Sequence, residues 1–217
     1  MAITTYSELQ DAIAKWLIRT DLTTRIPDFI SLCEATMQRL LTTADMEVST
    51  TLTTTANSPL VALPTGFNGV RRLRILKTNY YDDVQIVTLE PSLYDGTIPA
   101  PPVVASIVGS NLYLKPTPDS AYSLPLDYYA KFTPLSGSSA TNWILTNHPD
   151  AYLYGSLLQS APYLNDSRLS IWREAFQAVI DQINTEDKRI RFGQMKLRVD
   201  PALTSTRRYG AWRGYYS

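Results

Sequence analysis

The chain has 217 residues and 44% apolar content, enough for one ordinary core or two small ones. Twenty basic side chains balance twenty acidic ones, so there is no overall pull toward nucleic acid or an anionic membrane. No uncharged apolar run reaches about 18 residues, the opening MAITTYSELQ has no signal-peptide character, and one cysteine and one histidine exclude an intrachain disulfide and a multi-histidine metal cluster.

In chain order, the first elements read as helices. Thr5 followed by Glu8 is a capping-box pattern, and Tyr6, Leu9, Ile13, Trp16 and Leu17 recur behind it at helical spacing. A turn over residues 21–25 precedes Pro27, which fits the first turn of a second helix. Its stripe is Ile26, Phe29, Ile30, Cys33, Met37, Leu40 and Leu41.

From about Met46 the hydrophobic period falls to two. Leu73 and Ile75 alternate with Arg72 and Arg74, and Leu126, Tyr128, Ala130 and Phe132 alternate with Asp127, Tyr129 and Lys131. Residues 103–108 and 112–115 flank Gly109, Ser110 and Asn111, a hairpin signal. Frequent prolines confine the strands to short pieces. Helical spacing returns at Asn147 and Pro149 with Leu153, Leu157, Leu158 and Ala161. Asn165 and Asp166 interrupt it, and Leu169, Trp172, Phe176, Val179, Ile180, Ile183 and Ile190 mark a last long helix closed by Gly193.

Isolated amphipathic helices are marginal, so the stripes from both ends are expected to bury one another. The expected fold is α+β: a helical bundle from residues 1–45 and 142–193, a small antiparallel β-sandwich or barrel inserted as residues 46–141, and an extended tail of residues 194–217. That tail carries a net charge of +4, leaving −4 for the rest, and interleaves Arg207, Arg208 and Arg213 with Tyr209, Trp212, Tyr215 and Tyr216.

Three stretches, IPDFISLCEATMQRLL at 26–41, LPTGFNGVRRLRI at 63–75 and NHPDAYLYGSLLQSAPYLNDSRLSIWREAFQAVIDQINTEDKRIRFG at 147–193, resemble the head-to-tail adaptor proteins of short-tailed and some long-tailed phages. The resemblance implies a ring, expected to be dodecameric, beneath the portal of the DNA-filled head, with a nozzle or tail-tube protein below. It also implies a channel that DNA crosses without specific readout, a virion location after assembly in the host cytoplasm, and a C-terminal segment that binds the portal. On this reading Arg207, Arg208, Tyr209, Trp212, Arg213, Tyr215 and Tyr216 form the portal-binding tail, since aromatics and arginine dominate interface hot spots. Asp187, Lys188, Arg189 and Arg191 form an inter-subunit helix face.

The expected protein is not an enzyme, and neither cofactor nor metal is expected. His148 beside Asp150 lacks a nucleophile motif, Cys33 sits on an apolar stripe, and the pairs Asp82–Asp83 and Glu186–Asp187 lack calcium-loop spacing. Two rivals are a carbohydrate- or receptor-binding module using Tyr80, Tyr81, Tyr94, Tyr113, Tyr128 and Tyr129, and a hydrolase with two carboxylates hidden in the β region.

Overall fold

The computed structural model describes residues 3–88 and 98–193. The fold is α+β. Among the described residues, two helices, α1 (Tyr6–Leu17) and α2 (Ile26–Leu40), precede eight strands: β1 (Glu47–Thr53), β2 (Leu60–Ala62), β3 (Phe67–Leu76), β4 (Tyr81–Asp83), β5 (Gln85–Ile86), β6 (Val104–Val108), β7 (Asn111–Lys115) and β8 (Ser123–Ala130). Three helices follow, α3 (Trp143–Asn147), α4 (Pro149–Leu164) and α5 (Leu169–Phe192).

Local chemistry sets the helix ends. The Thr5 hydroxyl accepts from Glu8 N–H while the Glu8 carboxylate accepts from Thr5 N–H, completing the capping box of α1. Pro27 lies in the first turn of α2, and Pro149 opens α4. Asn165 ends α4 in the left-handed conformation that asparagine tolerates. Asn147, where helical spacing is expected to return, ends the short α3, whose N-cap is Asn142 with its side-chain oxygen accepting from Leu145 N–H.

One apolar cluster joins Leu9 and Ile13 of α1, Ile30 and Met37 of α2, and Leu157 of α4 with Trp172 and Phe176 of α5. At its centre is α4, which touches each of the other four helices. The sequence pattern suggests a single stripe on α4, but Ala151, Tyr152, Leu153, Gly155, Ser156 and Leu157 are all buried, as is expected of a helix enclosed on several sides. Small side chains make that enclosure possible. A Cβ on Gly155 would overlap Cys33 Sγ and stand 2.8 Å from Phe176 Cε2.

Other positions depart from the expected stripes. Leu40 is exposed, and Trp16 keeps an exposed edge while its ring packs against Tyr154 and Trp172 at centroid distances of 6.0 and 5.7 Å. Ile190, seven residues beyond the buried Ile183, is 68% exposed. It sits at the end of α5 where the apolar cluster has already run out.

The strands form two four-stranded sheets, ordered β1-β8-β3-β4 and β2-β7-β6-β5. Both contribute to a second apolar cluster, which includes Val61, Leu73, Ile75, Leu112, Leu114, Leu124 and Leu126. The β6–β7 hairpin turns at Gly109, whose φ of +61° supplies the positive angle expected there. The expectation of a purely antiparallel arrangement fails at one place, because β5 pairs with β6 in parallel. A parallel pair needs a long crossover, and the chain between Ile86 and Val104 is long enough to provide one.

Gly155→Ala gains about 1 kcal/mol of helix propensity but forces overpacking that costs about 1–3 kcal/mol. The net expectation is a lower denaturant midpoint, measured by circular dichroism, with unchanged slope.

Candidate functional site

The inward face of α5 carries Trp172, Phe176, Val179, Ile180 and Ile183, and one turn further on the same side presents Asp187, then Arg191. Here the apolar helix cluster ends. The helix faces the link from α2 into β1, where polar backbone and the start of a sheet replace the apolar cluster.

Arg191 closes that junction. Its Nη1 lies 2.6 Å from Glu47 Oε1 and donates to Tyr129 Oη at 3.0 Å, while Nη2 donates to the Thr42 carbonyl at 3.3 Å. Its Nε lies 2.7 Å from Asp187 Oδ2, and the guanidinium sits 5.6 Å from the centroid of the Tyr129 ring. Asp187 Oδ1 accepts from Ala44 N–H at 2.6 Å. Glu47 pairs on its other side with Arg71, the extra residue of a bulge in β3. The end of α5 is thus tied to β1, β8, β3 and the α2–β1 link through one partly buried ion network.

This placement sorts the four residues of the expected inter-subunit face. Asp187 and Arg191 are engaged within the chain, because the helix turns them inward. Lys188 and Arg189 remain on the exposed side, Arg189 with an i,i+3 pair to Glu186. The tail residues Arg207, Arg208, Tyr209, Trp212, Arg213, Tyr215 and Tyr216 lie outside the described residues.

Opposite charges also meet along β3. Arg72 pairs with Asp83 at 2.9 Å, Arg74 with Asp127 at 3.3 Å, and Lys77 with Asp82 at 2.8 Å. The acidic pair Asp82–Asp83 therefore serves as counter-charge for Arg72 of β3 and for Lys77 just beyond it. Among the described residues no group of three or more His, Cys, Asp or Glu is placed to hold a metal ion, and no helix is long and apolar enough to cross a membrane.

The six tyrosines considered as a binding platform do not share one surface. Tyr80 and Tyr81 are exposed at the β3–β4 end, Tyr128 is in the apolar cluster between the sheets, Tyr129 belongs to the Arg191 junction, and Tyr113 is on the other sheet. Tyr94 lies outside the described residues. His148 stands edge-on to Trp143, with ring centroids 6.3 Å apart. Cys33 is fully buried, and burial pushes its thiol well above the ordinary range, so it behaves as a small apolar residue.

A second network was missed by periodicity alone. Glu34, on the buried side of α2, accepts at Oε1 from Leu135 N–H at 2.7 Å and from Tyr152 O–H at 2.9 Å. Tyr152 Oη in turn accepts from Asn142 Nδ2 at 2.6 Å, and Asn142 Nδ2 also donates to the Thr133 carbonyl. The returning loop after β8 is thereby pinned to α2 and α4. A charged residue beside Cys33 in an otherwise apolar stripe is the sequence signal that marks it.

Burial raises the Glu34 carboxyl above its ordinary value of 4.5, opposed by the Leu135 and Tyr152 hydrogen bonds. A raised folded value means that its contribution to stability is full below the ordinary carboxylate range and is lost as pH rises through the shifted value. Glu34→Gln keeps the Oε1 acceptor without the titration. Its stability relative to the wild type should therefore improve from pH 4 to about pH 7, read from urea midpoints at each pH. Arg191→Met leaves Asp187 without its cation and Glu47 with Arg71 alone, and the expected loss in the same measurement is about 2–3 kcal/mol. Arg191→Lys recovers only part of it, because a lysine cannot span the same partners.

The family model described as SU10 adaptor protein matches residues 4–199 of the chain. No curated protein matches it.

Proposed function

Given that this chain belongs to the SU10 adaptor protein family of phages, we propose that it is a non-enzymatic virion component that joins the portal to the nozzle or tail tube as a ring, expected to be dodecameric. The single observation that carries this reading is the family match running from the first helix through the last, across the β region between them.

In this reading the mechanism is geometric. The helical parts, residues 1–45 and 142–193, act as the platform, and residues 46–141 project from it as the β unit. Identical copies make heterologous contacts that close on themselves, leaving a channel that DNA crosses without sequence readout. The exposed side of α5, with Lys188 and Arg189, supplies part of the subunit contact. The ion network around Arg191 supports the reading in a different way. By holding the end of α5 against the sheet, it gives each copy a defined angle between platform and β unit, which a closed ring requires.

Residues 194–217 anchor each copy to the portal above, with Arg207, Arg208, Tyr209, Trp212, Arg213, Tyr215 and Tyr216 as the contact residues. Assembly takes place in the host cytoplasm, and the finished location is the head–tail interface of the virion. Neither the carbohydrate-module nor the hydrolase reading gains support, since the tyrosines are dispersed and Glu47, Asp82, Asp83 and Asp127 are each occupied by a basic partner.

Deleting residues 194–217 is expected to leave a folded protein, with a helical far-ultraviolet circular dichroism spectrum and cooperative thermal unfolding, that no longer co-purifies with portal. Normal portal binding by this truncation rules out the tail as the anchor.

A further inference from the structure

A groove follows the helix–sheet junction beside Arg191. It consists of two adjoining cavities of about 530 and 310 Å³ that share Asp45 and Trp143. The larger is walled on one side by Ile183, Glu186, Asp187 and Ile190 of α5 and on the other by Thr43 and His148.

Three independent features describe what fits there. Ile190 continues the stripe of Ile183 two turns on, yet it is 68% exposed because the side of the helix it occupies opens into the groove. Thr43 is 2% exposed, and its hydroxyl has no hydrogen-bond partner among the described residues; the same holds for the indole N–H of Trp143. Buried polar groups are normally satisfied, so these two mark a place where a partner is missing. Asp45, Glu186 and Asp187 line the larger cavity, with Asp187 paired to Arg191 and Glu186 to Arg189, while Lys131 lines the smaller one; Asp45 lines both. The C-terminal end of α5 adds the negative pole of its helix dipole. The occupant should be cationic, partly apolar or aromatic, and able to hydrogen-bond.

Residues 194–217 have that chemistry. They carry a net +4 and four aromatic side chains, and they begin four positions after Ile190, so the mouth of the groove is within a few residues' reach. We propose that in the free protein this segment lies in the groove of its own chain, held by Asp45, Glu186 and Trp143, and that it leaves the groove to engage its docking partner. The release rests on the function proposed above; the occupancy does not. The groove then keeps an adhesive, aromatic segment covered until a better partner competes for it.

Backbone hydrogen exchange on the full-length protein, followed by mass spectrometry at low salt, tests this. Amides of residues 194–217 are expected to exchange about tenfold more slowly than those of a synthetic peptide of the same residues. Asp45→Lys should remove most of that protection, and high salt should do the same, because the contacts are exposed ion pairs. Thr43→Val should also lower it while leaving the thermal midpoint unchanged or raised; a hydroxyl that is simply unsatisfied would give the rise without the loss of protection.

Exchange at the peptide's rate in the wild type overturns the proposal, as does protection indifferent to both substitutions. Protection that grows with protein concentration assigns the groove to a second copy's segment and overturns the same-chain assignment. Portal co-purification is measured on the same samples. Intact protection with no portal binding supports the groove and overturns the docking role alone.

Discussion

A helix that offers almost no face to water must be surrounded, and α4 imposes that requirement on everything near it. Its Gly155, Ser156, Ser160 and Ala161 are too small to keep neighbours at a distance, so α2 and α5 approach closely enough that Cys33 and Phe176 occupy the space over Gly155. Neither end of the chain can supply the enclosure alone. Residues from α1 and α2 must meet residues from α5 across it, and the eight strands are therefore accommodated between the two halves of one helical cluster.

Polar networks do the work that apolar packing cannot do at the edges of this cluster. Glu34, Tyr152 and Asn142 hold the loop that returns from β8, and Arg191 with Glu47, Asp187 and Tyr129 holds the end of α5 to the first and last strands. Directional bonds specify an angle in a way that apolar burial does not. Fixing the angle between helices and sheets is what these networks contribute.

Charge is distributed to the same end. The basic side chains of β3 meet acids on β1, β4 and β8, so the β unit carries few uncommitted charges along that strand. Acidic side chains collect along the groove by α5, while the excess of positive charge lies in residues 194–217. A neutral chain is thus divided into an acidic body and a basic C-terminal segment.

Periodicity alone determined much of this protein. The stripes of α1 and α2, the alternation of Leu73 and Ile75, the turn at Gly109 and the cap of α1 were legible because each depends on residues within a few positions of one another. The resemblance carried by residues 26–41, 63–75 and 147–193 was legible for a similar reason, since order along the chain is itself sequence information. What only the tertiary structure decided are the matters that depend on distant partners: the parallel pairing of β5 with β6, the enclosure of α4, the inward use of Asp187 and Arg191 in place of an exposed charged face, and the exposure of Ile190. A helical stripe states which side of a helix faces inward. Whether an apolar core, an ion network or an open groove waits on that side is set by chain segments far along the sequence, such as Thr42 and Tyr129 against Arg191, and no local spacing encodes it.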